Sequence, residues 1–133
     1  MEHMTDQLEV REGICRFRPR GSCSLIEAVE LVTSAIAFCR SERISKLLVD
    51  VTGLVGLPIP SLVDRFLMVE EWAHEGNGLV VAAMVAQAEY IHPEKFGVKV
   101  AADLGMMADV FTSDEAALKW LLGNPDSTER AHF

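Results

Sequence analysis

Hydrophobic positions along this chain change period several times, and each change marks an element. In LEVREGICRFRPR two short β-type runs flank Glu12-Gly13. Such a two-residue break, with a glycine that accepts positive φ without penalty, predicts a tight hairpin and an antiparallel strand pair. In GSCSLIEAVELVTSAIAFCR the spacing becomes three-and-four, placing Leu25, Ala28, Val29, Val32, Ala35, Ile36 and Cys39 on one helix face. Ser24 with Glu27 three residues on makes a capping box, which satisfies orphan amides at the helix start. KLLVDV is an apolar run with almost no alternation, as in a central strand covered on both faces. It ends near Asp50 to Thr52. The loop GLVGLPIP then leads to Ser61, a cap for a helix that carries Leu62, Phe66, Val69 and Ala73 on one face and stops at Gly76.

GLVVAAMVA predicts the next buried strand. AEYIHPEKFGVKVAADLG restarts helix with Pro93 at the first helical position, weakened by Gly97 so that two short turns are an alternative, and ended by Gly105. MADVF is a last strand. TSDEAALKWLLGNP is a closing helix with Thr112 and Glu115 as a second capping box and Gly123-Asn124-Pro125 as its stop. The order ββαβαβαβα predicts one layered α/β domain over 1–133, with a mixed, mostly parallel five-stranded sheet and strand 1 as its antiparallel edge. Its core is expected over about 6–123, with a frayed tail at 124–133.

Composition narrows the function classes. Half of the 133 residues are hydrophobic and 24% are charged, which fits a globular domain. The net charge of -8 opposes binding to phosphate backbones, so no nucleic-acid partner is expected. Arg16, Arg18 and Arg20 alternate along the second strand and would form a small positive stripe on a solvated face. The longest apolar stretch, Leu79 to Ala86, is too short to span a bilayer, and no secretory leader pattern opens the chain; a cytoplasmic protein is expected. Cys15, Cys23 and Cys39 make an odd set without CxxC spacing, against a disulfide framework or structural zinc. Cys15 and Cys39 read as core filler. The four histidines, His3, His74, His92 and His132, lie far apart, so neither a metal nor a cofactor is expected. Asp50, Ser61 and His92 are the one triad that loop and helix-start positions allow, and nothing in the sequence brings them together. No enzyme is expected.

The element order, with LLVDVTGL running into a loop and capped helix, then VVAAMVA and VFTSDEAALKWL, resembles the STAS domain family and, more narrowly, the bacterial single-domain SpoIIAA-like proteins. The resemblance covers about residues 6 to 123. It implies a non-enzymatic regulatory or interaction module that binds a protein partner, often a kinase-like anti-sigma factor. In one branch phosphorylation controls that contact, on a Ser or Thr inside an Asp-Ser-Ser/Thr-Gly-like motif after the central strand. Here the stretch reads Leu57-Pro58-Ile59-Pro60-Ser61-Leu62. Pro58 stands where the family has Asp, and Ile59 or Pro60 where it has the phosphoacceptor. The motif is absent. Ser61, displaced by one or two positions, is either a shifted phosphoacceptor or a plain N-cap ahead of Asp64.

Two functions follow as expectations. The first is docking of a protein partner, or of a second copy, through the loop and helix 53–66, with Asp50, Thr52, Gly53, Ser61, Asp64 and Arg65 as partner-binding candidates. Asp50 and Thr52 earn their place by position, since ligands of open α/β sheets lie outside the strand carboxyl ends; the competing reading gives Asp50 to its own turn. Gly53 and Gly56 lack the following Lys-Ser/Thr of a phosphate loop. The rival is a carrier or sensor of a small apolar ligand such as a lipid, contacted by Leu57, Met68, Trp72, Met106 and Met107. An enclosed pocket would favour the rival, a flat surface the docking module.

Overall fold

The computed structural model describes residues 7–124; the expected first core residue, the tail beyond 124, His3 and His132 lie outside the described residues. Glu12 and Gly13 both adopt positive φ, 55° and 78°, as a type I′ turn requires. They join β1 (Leu8–Arg11) to β2 (Ile14–Phe17) antiparallel, with Arg11 opposite Ile14. After the two-residue β3 (Gly21–Ser22) come α1 (Leu25–Ser41), β4 (Lys46–Asp50), the two-residue β5 (Leu54–Val55) and α2 (Leu62–Gly76). Then follow β6 (Val81–Val85), a 3-10 turn at Ala88–Tyr90, α3 (Phe96–Asp103), β7 (Ala108–Phe111) and α4 (Asp114–Leu122). The main sheet runs β1-β2-β4-β6-β7. β1 is its antiparallel edge and the other neighbours are parallel.

Because strand side chains alternate between faces, each central strand feeds two cores. Cys15, Phe17, Leu47 and Val49 point toward α1, α2 and α3, where they meet Val32, Ile36, Val69 and Trp72. Ile14, Leu48, Val81, Ala83 and Val85 point the other way, onto Ala117 and Leu121 of α4. Leu47, Leu48 and Val49 are all buried, which explains why β4 reads as an unbroken apolar run. Ser24 caps α1 as its spacing predicts: its hydroxyl accepts the Glu27 amide at 3.1 Å, and the Glu27 carboxylate accepts the Ser24 amide at 2.9 Å. That exchange, first the backbone bond and then the hydroxyl, holds the Glu27 carboxyl below its ordinary range.

Several local expectations are corrected. β3 and β5 form a separate parallel pair within stretches read as loop; two residues are too few to show a period. Gly53 permits that approach, since a Cβ there would stand 3.0 Å from the Pro19 carbonyl oxygen. Pro93 does not start a helix. It holds His92 away from the helical region, and Lys95 takes a left-handed φ of 51°, so α3 begins only at Phe96. Its far end follows expectation: Gly105, at φ +83°, lets the Met106 amide reach back to the Ala101 carbonyl at 2.8 Å. Ser113, not Thr112, caps α4, its hydroxyl accepting the Ala116 amide at 3.2 Å; with the helix starting at Asp114, Glu115 stands one position too early to complete a box. The arginines do not form a solvated stripe. β2 ends at Phe17, Arg18 pairs with Asp50 at 3.3 Å and also with Asp114 of α4, and the Arg16 Nε is buried.

The apolar stripe of α2 divides. Val69, Trp72 and Ala73 are buried, whereas Leu62 is 52% exposed and Phe66 is 40% exposed. The helix begins outside the rim of the three-helix layer, so only its second half is covered. No helix among the described residues is long and apolar enough to cross a membrane.

Candidate functional site

The loop from Gly53 to Pro60 and the first turn of α2 cover the carboxyl ends of the central strands. Asp50, last in β4, has both carboxylate oxygens engaged. One accepts the Thr52 amide at 3.0 Å and the Thr52 hydroxyl at 2.6 Å, and the other accepts Arg18 at 3.3 Å. This is a turn held by an aspartate. At the helix start, the Ser61 hydroxyl accepts the Asp64 amide and the Asp64 carboxylate accepts the Ser61 amide, both at 3.0 Å. The Ser61 and Asp64 side chains therefore close a capping box. Arg65 reaches across the loop and donates to the Tyr90 carbonyl at 3.0 Å. Tyr90 in turn donates its hydroxyl to the Leu57 carbonyl at 2.8 Å. The candidates thus fall into two groups, Asp50, Thr52 and Gly53 at the strand end and Ser61, Asp64 and Arg65 on the helix, with no hydrogen bond between them. Asp50, Ser61 and His92 do not converge, because each bonds its own neighbours: the His92 Nδ1 accepts the Glu94 amide at 3.1 Å. Among the described residues no three of His, Cys, Asp and Glu gather as metal ligands would.

Beneath the loop lies a cavity of about 170 Å³ between the sheet and the three-helix layer. Val49, Val69 and Ala101 form part of its aliphatic wall, Met68 and Met106 add thioethers, and Trp72 closes one side. Trp72 is only 9% exposed and donates its indole N–H to the Val29 carbonyl at 3.2 Å. Thr52, Pro58 and Gln87 are exposed lining residues just past the ends of β4 and β6, so the cavity opens there. Leu57, Met68, Trp72 and Met106 line it. Met107 does not: it lies beyond the chain reversal at Gly105, 40% exposed. Sequence reasoning missed Arg65 as a rim residue, together with Tyr90, His92, Lys95 and Asp109. Tyr90 is the single tyrosine of the chain, which marks it as unusual without saying where it points. Lys95 pairs with Asp109 at 2.7 Å and lies 5.3 Å from the Phe111 ring centroid.

Outside the cavity, Val55, Ile59, Leu62, Val63 and Leu67 are all more than half exposed. In α2, residues 62, 63, 66 and 67 fall at the i, i+1, i+4 and i+5 positions of one helix side. The loop and helix start therefore present an apolar face outward and a cavity inward.

No family model matches the sequence, and no curated protein matches it. Solved structures match the fold. The NMR structure of the protein TM1081 aligns with a TM-score of 0.52 at 10% identity, covering 93% of this chain and 94% of that one. The anti-sigma factor antagonist SpoIIAA in its unphosphorylated form aligns with a TM-score of 0.50 at 15% identity, covering 89% of this chain and 98% of that one. The fold is that of SpoIIAA. At such identities the likeness to SpoIIAA concerns the course of the backbone, and the side chains around the cavity are read from this chain alone. The STAS resemblance seen in the sequence holds at the level of the SpoIIAA fold, with its parallel strands and antiparallel edge.

Proposed function

We propose that this chain is a non-enzymatic regulatory module that docks a protein partner through the loop and helix 53–66. The observation that carries the reading is the outward apolar face of Ile59 in the loop and Leu62, Val63, Phe66 and Leu67 on the first half of α2. Apolar side chains grouped on one helix side are what a docking surface needs and what a solvated helix avoids. The fold shared with an anti-sigma factor antagonist supports the same reading. Ser61 lies at the edge of this face as an N-cap. A phosphate on its hydroxyl would displace the Asp64 amide bond and set a dianion beside the Asp64 carboxylate, releasing the helix start. The test compares the wild type with a Val63→Glu, Leu67→Glu double variant, chosen because both side chains are exposed. Cross-linking in an extract of the native host should join a protein to residues 53–66 of the wild type and leave the variant bare, while the two melt alike. Equal cross-linking of both would overturn the reading.

A second reading is favoured by the cavity: a sensor or carrier that encloses a small apolar group between β4 and α2. The lining by Met68, Trp72 and Met106 supports it. Displacement of a hydrophobic dye from the wild type, and loss of dye binding when Ala101→Leu fills the cavity, is its test.

A further inference from the structure

We propose that the cavity takes a small aryl carboxylate, its ring among Met68, Trp72 and Met106 and its carboxylate at Arg65 and Lys95. The proposal rests on the ligand-binding reading and names the ligand class. Size sets the first limit. A cavity of roughly 150 Å³ holds benzene, so about 170 Å³ holds one ring with a short substituent. The lining sets the second. Thioethers and an indole offer the polarizable contacts that favour an aromatic guest over an aliphatic one.

Charge at the rim decides the head group. In a chain of net charge -8, the rim of this cavity carries two cations, Arg65 and Lys95, against a single carboxylate, Asp109. Lys95 is paired with that carboxylate. Among the described residues Arg65 donates to the neutral Tyr90 carbonyl, and no carboxylate pairs with its guanidinium. A half-buried guanidinium with uncommitted N–H donors is suited to a planar carboxylate. His92 adds a donor on the same rim. Its Nδ1 accepts the Glu94 amide, which leaves the proton on Nε2.

The experiment titrates the full chain with phenylacetate, phenylacetamide and toluene, reading the methyl NMR shifts of Met68 and Val69. Phenylacetate should bind at least about tenfold more tightly than phenylacetamide, the gain of a charge-assisted pair over a neutral one. Arg65→Gln should remove that preference while phenylacetamide still binds as before; Lys95→Met gives the same comparison should loss of the Tyr90 bond disturb the loop. If toluene and phenylacetamide bind but phenylacetate gains nothing, the carboxylate proposal is overturned and the cavity reading stands. If none of the three moves the Met68 and Val69 methyls, both fall.

Discussion

On one face of the sheet, Ala117 and Leu121 of a nine-residue helix lie over Leu48, Val81 and Ala83 with all five side chains at no more than 1% exposure. On the other, three helices meet the strands and still leave about 170 Å³ among Val49, Val69 and Trp72. More covering structure has produced the looser fit. The reason lies in what each layer must satisfy. α4 packs on β4, β6 and β7 and can settle until its small Ala117 admits close approach, and Arg18 ties its first turn to the end of β4. α1, α2 and α3 must also pack on one another, so the separation of α2 from the sheet is set partly by Trp72, whose indole is anchored to α1. A bulky side chain bonded sideways holds the layer up, and the space beneath it is the cavity.

The largest expected effect breaks the tight face. Leu121→Ala should cost about 3 kcal/mol, since a fully buried leucine loses its transfer energy and the rigid surroundings cannot close the gap. Urea titration of both proteins measures it, and a loss under about 1 kcal/mol would show that the α4 face relaxes as readily as the other. Neighbouring residues on β6 give a sharper comparison, because Ala82 faces the three-helix layer and Ala83 faces α4. Ala83→Ile should destabilise by about 1–3 kcal/mol through overpacking. Ala82→Ile adds the same atoms toward the cavity and should raise stability by about 0.5–1 kcal/mol. Equal losses at both positions would mean that the cavity is not free to accept a side chain.

How much of this was legible in the sequence depends on whether a feature repeats. The seven apolar positions of α1 share one period, and Ser24 with Glu27 announces its start, so that helix was readable throughout. The unbroken LLV of β4 likewise reported two covered faces. β3 and β5 were invisible because two residues have no period, and the late start of α3 turned on the backbone of Lys95, a residue type that rarely takes positive φ. The stripe of α2 was legible as a stripe, yet nothing in Leu62 or Phe66 distinguishes an apolar residue under a neighbouring helix from one beyond its edge. The cavity is harder still. It is set by how far apart three helices stand, a property of no single position, so Met68 and Met106 were nameable as candidates while Arg65, Tyr90 and Lys95 were not nameable as its rim.

A smaller effect concerns the start of α2, where the cavity loop meets the exposed face. Ser61→Ala removes the acceptor for the Asp64 amide and should lower stability by about 1 kcal/mol. Ser24→Ala at the start of α1 removes the equivalent bond and should cost a similar amount. If Ser61→Ala also abolishes phosphate incorporation from a host extract, Ser61 is a phosphoacceptor as well as a cap; if incorporation persists, it is a cap alone.

The last effect is kinetic and asks whether the looser face also opens. Cys15 of β2 and Cys39 of α1 are buried between the sheet and the three-helix layer, and Cys23 is partly exposed just before α1. The Cys39 thiol is pushed up by its hydrogen bond to Cys15 and then by burial, while the same bond lowers Cys15. Cys23 is raised by burial and by the Glu27 carboxylate. Thiolate is the reactive form, so at pH 8 Cys23 should label first and more slowly than a free thiol, with Cys15 and Cys39 following only at the rate of global unfolding. The Cys39 shift carries a sign for stability: a raised folded-state value contributes fully below the ordinary thiol pKa of 9.0 and is lost as pH climbs above it. The native protein should therefore lose stability from about pH 9 upward, and a variant with both Cys15→Ala and Cys39→Ala, which leaves no buried thiol to be raised, should lose less over the same interval. Labelling of Cys39 faster than unfolding would show that the three-helix layer opens by itself while the sheet and α4 stay closed.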